Sequence, residues 1–159
     1  MHLQVLAIGK LKSGPERDLN DRYRERAIQS GRGIGFTGPD IAELNESRAR
    51  RPEDRKAEEA EMLGQRAGTG WCILLDERGQ SMGSDQFARM LADARDAGRA
   101  GATFIIGGAD GLDARLRQNA PLILSFGALT LPHQLVRVLL LEQLYRAMTI
   151  LSGHPYHRS

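Results

Sequence analysis

Apolar positions fall along this chain in two alternating rhythms. LQVLAIG at 3–9 is a short continuous apolar run ending on glycine, which predicts a buried strand. After Gly14-Pro15, residues Leu19, Tyr23 and Ala27 recur at helical spacing and predict an amphipathic helix over about 15–30. Its outward face carries Arg17, Arg22, Arg24 and Arg26, balanced by Glu16, Asp18, Asp21 and Glu25, and reads as solvated. Gly31, Gly33, Gly35, Gly38 and Pro39 make a turn-rich stretch, with one strand expected within 34–45. ESRARRPEDRK at 46–56 reads as an exposed charged loop, with an RNA-facing arm as the other reading. A second amphipathic helix is expected over 53–67, stopped by Gly68 and Gly70.

The second half is more regular. WCILLD (71–76) predicts a buried strand and ERGQSMGS a loop; Ser84 or Asp85 then caps a helix with Phe87, Met90, Leu91 and Ala94 inward. ATFIIGG (102–108) predicts a strand, followed by a glycine loop and a short helix near 112–118. LILSF after Pro121 is another strand, and Pro132 opens a long helix to about 152. Alternating strands and helices predict an α/β fold, a mostly parallel sheet flanked by helices, as a single domain over 1–159. In the last helix Leu135, Val138, Leu139, Leu141, Leu144, Tyr145 and Met148 cover more than one face. Such a helix is buried, and a surplus apolar face suits an isologous dimer. Glu142 and Arg146, four apart, predict a helix-surface ion pair.

Composition narrows the class. A hydrophobic share of 41% and a charged share of 26% are those of a soluble globular chain. A net charge of +2 permits a nucleic-acid partner without arguing for one. Cys72 is the only cysteine, so no internal disulfide forms; it reads as core in a reducing compartment. No charged leader precedes the first apolar run, and Arg137 and Glu142 cut the most apolar stretch. A cytoplasmic location without membrane contact is expected.

Candidate chemistry gathers at three strand ends: LLD (74–76), IIGGADGL (105–112) and SFGALTLPH (125–133). Open α/β sheets bind ligands beyond the carboxyl ends of their strands. Gly107, Gly108 and Gly111 do not have the dinucleotide spacing, and no phosphate-loop lysine is present. GALTLPH lacks a nucleophile–base pair; it offers backbone polar groups between apolar walls, which suits a flat heterocycle such as adenine. His133 reads equally as a helix cap or a site residue. The tail HPYHR holds costly groups: Tyr156 to stack on a base, Arg158 to bind phosphate, His154 or His157 to bond a base edge or assist proton removal. The two histidines have no third ligand in view, which disfavours a metal.

The ordered set LQVLAIGK, LLD, FIIGGADGL, SFGALTLPHQLVRVLLLEQLYRA and HPYHR resembles the RlmH family of small SPOUT-class rRNA methyltransferases. The resemblance covers nearly the whole chain and is densest from residue 71 onward. It implies the SPOUT α/β fold with a C-terminal trefoil knot, an exception to the rule against threaded chains. It implies S-adenosylmethionine as methyl donor, S-adenosylhomocysteine as product, and no metal. By motif, the cofactor loops fall at Leu75, Gly108, Gly127, Ala128, Leu129, Thr130, Leu131 and Pro132. It further implies a homodimer with active sites near the subunit boundary. The target is N3 of the pseudouridine at standard position 1915 of 23S rRNA in the assembled 70S ribosome; DNA is not a partner. Ala109 and Asp110 stand where the family usually has proline and glutamate. Alignment of N3, loss of its proton and stabilisation of the anion are the tasks, with His133, His154, Tyr156, His157 and Arg158 as candidates. A catalytically silent RNA- or ribosome-binding protein of the same fold is the alternative, though it would be expected to lose the glycines or the ALTLP loop.

Overall fold

Every strand hands the chain to a helix: β1 (His2–Ile8), α1 (Pro15–Arg32), β2 (Thr37–Leu44), α2 (Pro52–Ala67), β3 (Trp71–Ser81), α3 (Ser84–Asp96), β4 (Gly101–Ile106), α4 (Ala114–Asn119), β5 (Leu122–Ser125) and α5 (His133–Ser152). A computed structural model describes residues 1–157. The strands form one sheet in the order β2-β1-β4-β3-β5, with each neighbouring pair parallel. Parallel pairing brings all five carboxyl ends to one edge. No helix among the described residues is long and apolar enough to cross a membrane.

Strand side chains alternate between two apolar layers, as the period of two requires. Leu3, Val5 and Ala7 join Phe104, Ile106 and α5 residues such as Leu140 and Leu144 in one cluster. Leu6, Ile8, Leu74 and Ile105 point the other way, against Leu63 of α2 and Leu112. Both faces are therefore covered, which is why these strands read as unbroken apolar runs.

Two local expectations are corrected. β3 does not stop at Asp76: Leu75 and Gln80 both register with Leu124, so 76–79 bulge before pairing resumes through Ser81. Gly79 permits this, since a Cβ there would lie 2.7 Å from the Ile123 carbonyl oxygen. Neither Ser84 nor Asp85 caps α3; Gly83 is the N-cap and makes no side-chain bond. The Ser84 hydroxyl instead donates to Gln143 Oε1 of α5 at 2.8 Å. Phe87, Leu91 and Ala94 are buried as expected, while Met90 and Cys72 are only half-buried.

Helix α5 lies against α1 and α3 and buries Val138, Leu140, Leu141, Leu144, Tyr145, Ala147 and Met148. Leu144 and Leu141 are thus core of the single chain, whereas Leu135 and Leu139 remain exposed at 42% and 38%. Arg137, which reads in sequence as a polar break, is 2% exposed. Its Nη1 donates to Glu43 Oε1 at 2.8 Å, and its Nη2 to the carbonyls of Ile8 and Gly9 at 2.6 Å each. Glu43 also accepts from the Leu11 amide at 2.8 Å. Burial pulls the Arg137 guanidinium down, and Glu43 opposes this; an arginine stays charged regardless. Removing one partner of a buried pair strands the other. Arg137→Ala should therefore cost about 3–5 kcal/mol in urea unfolding. A loss under about 1 kcal/mol would show that water replaces the clamp.

Candidate active site

The carboxyl edge of the sheet opens into a cavity of about 610 Å³, the size of a small-ligand site. Its walls are the bulged segment of β3, the loops after β4 and β5 and the first turn of α5. Leu75, Gly108, Gly127, Leu129, Thr130, Leu131, Pro132 and His133 all line it; Ala128 does not. Ile106, Leu124, Phe126 and Val136 complete an apolar floor.

Local bonds hold the loop after β5. Gly127 has φ 132°, a conformation that side chains rarely adopt, and its N–H donates to Ser125 Oγ at 3.1 Å. The Ser125 hydroxyl lies 2.9 Å from the Gly127 carbonyl and 3.2 Å from that of Glu77. Thr130 Oγ1 donates to Glu77 Oε2 at 2.6 Å, tying this loop to the β3 bulge. Arg117 Nη1 bridges Asp76 Oδ2 at 3.2 Å and the Leu112 carbonyl at 3.0 Å. Asp76, which closes the LLD strand end, lines the cavity. Glu77 and Arg117 also line it and were missed by sequence reasoning, although the acidic pair closing WCILLDE was the available signal for Glu77.

The glycine loop is braced from behind. A Cβ at Gly108 would meet Glu59 Oε2 and Ile8 Cγ2 at 3.0 Å, so its bare Cα faces the protein interior rather than the cavity. Glu59 is 5% exposed and accepts from the Ser47 amide at 3.0 Å; burial pushes its carboxyl up. Arg55 forks onto Asp110, Nε to Oδ2 at 2.6 Å and Nη2 to Oδ1 at 3.0 Å. That hydrogen bonding holds the Asp110 carboxyl below its usual range. The 46–56 run is thus more than a solvated loop, because Arg55 and Glu59 anchor it to the wall of the cavity.

His133 is not a cap: Pro132 is the N-cap of α5 and no side-chain cap bond forms. Its imidazole is pushed down first by burial, then by Arg137, with Glu46 acting in the opposite sense. His154, Tyr156 and His157 do not line this cavity. His154 Nδ1 accepts from the Tyr156 amide at 3.2 Å, and His157 Nε2 lies 3.5 Å from Asp85 Oδ2. The Tyr156 ring packs on Tyr145 at 4.5 Å, beside the Arg146 guanidinium at 4.9 Å. Its hydroxyl donates to Glu142 Oε1 at 3.1 Å. Burial, then Tyr23 and Glu142, push that phenol up, so it stays protonated. The Glu142–Arg146 pair forms as expected, half-buried beneath the tail. Arg158 lies outside the described residues.

A family described as "Predicted SPOUT methyltransferase" matches residues 1–157. The chain belongs to the SPOUT methyltransferase family. It is 57% identical over 160 residues to "Ribosomal RNA large subunit methyltransferase H" of Rhodopseudomonas palustris, covering the whole of both chains. The protein of that name from Methylobacterium radiotolerans is also 57% identical, over 99% of this chain and 98% of its own. Among solved structures, a probable methylase family protein from Haemophilus influenzae aligns with a TM-score of 0.52 at 11% identity, covering 99% of this chain and 70% of its own; that likeness shows the fold alone.

In this SPOUT chain the carboxylate of Asp110 fixes the glycine loop to α2 through Arg55. Asp110→Asn should speed amide hydrogen exchange across 107–112 several-fold, and Asp110→Glu should largely restore protection. Unchanged exchange in Asp110→Asn would show that the backbone alone holds the loop.

Proposed function

We propose that the chain transfers a methyl group from S-adenosylmethionine to N3 of the pseudouridine at standard position 1915 of 23S rRNA, in assembled ribosomes of the cytoplasm. The observation that carries the reading is the backbone-rich, apolar cavity formed by the glycine loop and GALTLPH, in a chain 57% identical end to end to proteins named as large-subunit rRNA methyltransferases. The residues present fit the donor: a flat base suits the space between Leu75, Ile106 and Leu124 and the 127–132 loop, whose peptide groups can pair its edge. When bound, the donor supplies a methyl already activated on a sulfonium. A C-terminal knot belongs to the same reading.

The chain's own residues must then orient the acceptor and take a proton from the imide N3–H. Of the described histidines His133 is the one at the cavity, and its depressed pKa keeps it neutral and able to accept. Tyr156 is unsuited to that task, because its phenol stays protonated. It fits a positioning role, fixing the tail so that His154 and His157 are presented away from their own cavity. An isologous homodimer supplies the missing half. Leu135 and Leu139 lie four apart on the open face of α5, and Leu129 on the cavity loop is 79% exposed.

Three outcomes follow. Labelled methyl should pass to 23S rRNA in intact ribosomes far faster than to naked rRNA, and equal rates would contradict recognition of an assembled surface. Single-turnover methylation at saturating donor should lose activity only below the ordinary histidine pKa of about 6.5. His133→Gln should abolish that acid limb; a surviving limb would remove His133 from proton transfer. In light scattering Leu139→Glu should give a folded monomer, whereas Leu144→Glu should unfold the chain, because Leu144 is fully buried within it. A stable dimer of Leu139→Glu would move the interface elsewhere.

A further inference from the structure

A net charge of +2 conceals a local concentration of cations. Lys10 and Lys12 follow β1, and Arg48, Arg50 and Arg51 follow β2; all five side chains belong to exposed residues. The two strands are neighbours, with Ile8 opposite Leu44 and the Gly9 amide donating to the Leu44 carbonyl at 2.8 Å. The cations therefore sit on adjacent loops at the carboxyl edge, the edge that opens into the cavity.

The second loop is held by a set of internal hydrogen bonds. Ser47 donates through its amide to Glu59 and through its hydroxyl to Glu58, and Ala49 N donates to Ser47 Oγ at 3.1 Å. Arg55 Nη1 donates to the carbonyls of Ala49 and Arg50 at 3.1 Å each, while the same guanidinium grips Asp110 on the cavity wall. Glu46 lies against Gly9 and is close enough to act on the titration of His133. Glu53 and Asp54 occupy the first turn of α2, where the helix dipole favours them. Lys10, Lys12, Arg48, Arg50 and Arg51 form no ion pair among the described residues. Cations left unpaired on a preorganised loop are suited to an external polyanion, because no internal bond must break when it arrives.

We infer that Lys10, Lys12, Arg48, Arg50 and Arg51 form a phosphate-binding rim that grips the RNA backbone beside the target nucleotide. This rests on the rRNA reading above and extends it by naming the surface that docks. Phosphate contacts of this kind set position and register, while the cavity selects the base. The Arg55–Asp110 fork links the two, so docking on the rim is registered against the cavity wall.

The test is a salt series of binding to intact 70S ribosomes by the full-length protein. Arg48→Ala, Arg50→Ala and Arg51→Ala combined should weaken binding more than tenfold and lower the salt slope by about one per lost phosphate contact. Melting temperature and S-adenosylmethionine affinity should stay unchanged, and the triple lysine variant should recover most of the slope. Should the alanine triple fail to fold, Lys10→Ala with Lys12→Ala reads the same rim with a smaller change in slope. Unchanged affinity and slope would overturn the inference, as would equal wild-type affinity for phosphatidylserine vesicles. Salt-dependent, rim-dependent binding without methyl transfer would sink the enzymatic reading and leave the rim standing; methyl transfer with rim-independent binding would do the reverse.

Discussion

Helix α5 is clamped to the sheet at one end and carries the tail at the other, and both halves of the molecule depend on that clamp. Arg137, one turn inside the helix, reaches the last carbonyl of β1, that of Gly9 just beyond it, and the carboxylate of Glu43 near the end of β2. Those are the points where the chain leaves the sheet toward Lys10 and toward the arginine-rich loop. The same helix presents His133 to the cavity one turn earlier. A buried charge satisfied by backbone carbonyls thus fixes the distance between the cavity, the basic loops and the helix. The arrangement is costly to break because the buried guanidinium and the carbonyls it serves would lose their bonds to each other.

The alternation of apolar runs and helical spacing made the parallel sheet and all five helices readable, because both faces of the strands are covered and the runs are uninterrupted. What stayed hidden was set by contacts distant in sequence. Arg137 in an apolar helix looks like an interruption until Glu43 and the β1 carbonyls are beside it. Ser84 has the chemistry of a cap, but Gln143 of α5 offers its hydroxyl another partner. The bulge in β3 depends on Gly79 meeting β5, which no local pattern records.

The candidate site was legible where motifs are dense and obscure where charge is dense. The glycine loop and GALTLPH fall together at one cavity, as residue types and strand ends suggest. The run at 46–56 gave no hint that Arg55 would fork onto Asp110, or that Glu59 would lie behind Gly108. Charged residues in sequence look alike whether they face water or brace a loop.

Geometry also separates two sets of candidate functional groups within one chain. The tail is anchored through Tyr156 to Glu142 and Tyr145, and Glu142 lies about 14 Å of helix rise beyond His133. Under the dimeric reading proposed above, a complete site draws the cavity from one subunit and the tail from its partner. Mixed dimers test this most directly. One subunit carries Gly127→Val, which spoils its cavity, and the other is truncated after Gly153. Each homodimer should be nearly inactive on intact ribosomes, while the mixture should regain a substantial share of single-turnover methylation through its one intact composite site. A mixture as inactive as its parents, with mixed dimers shown to form, would contradict a site shared between subunits.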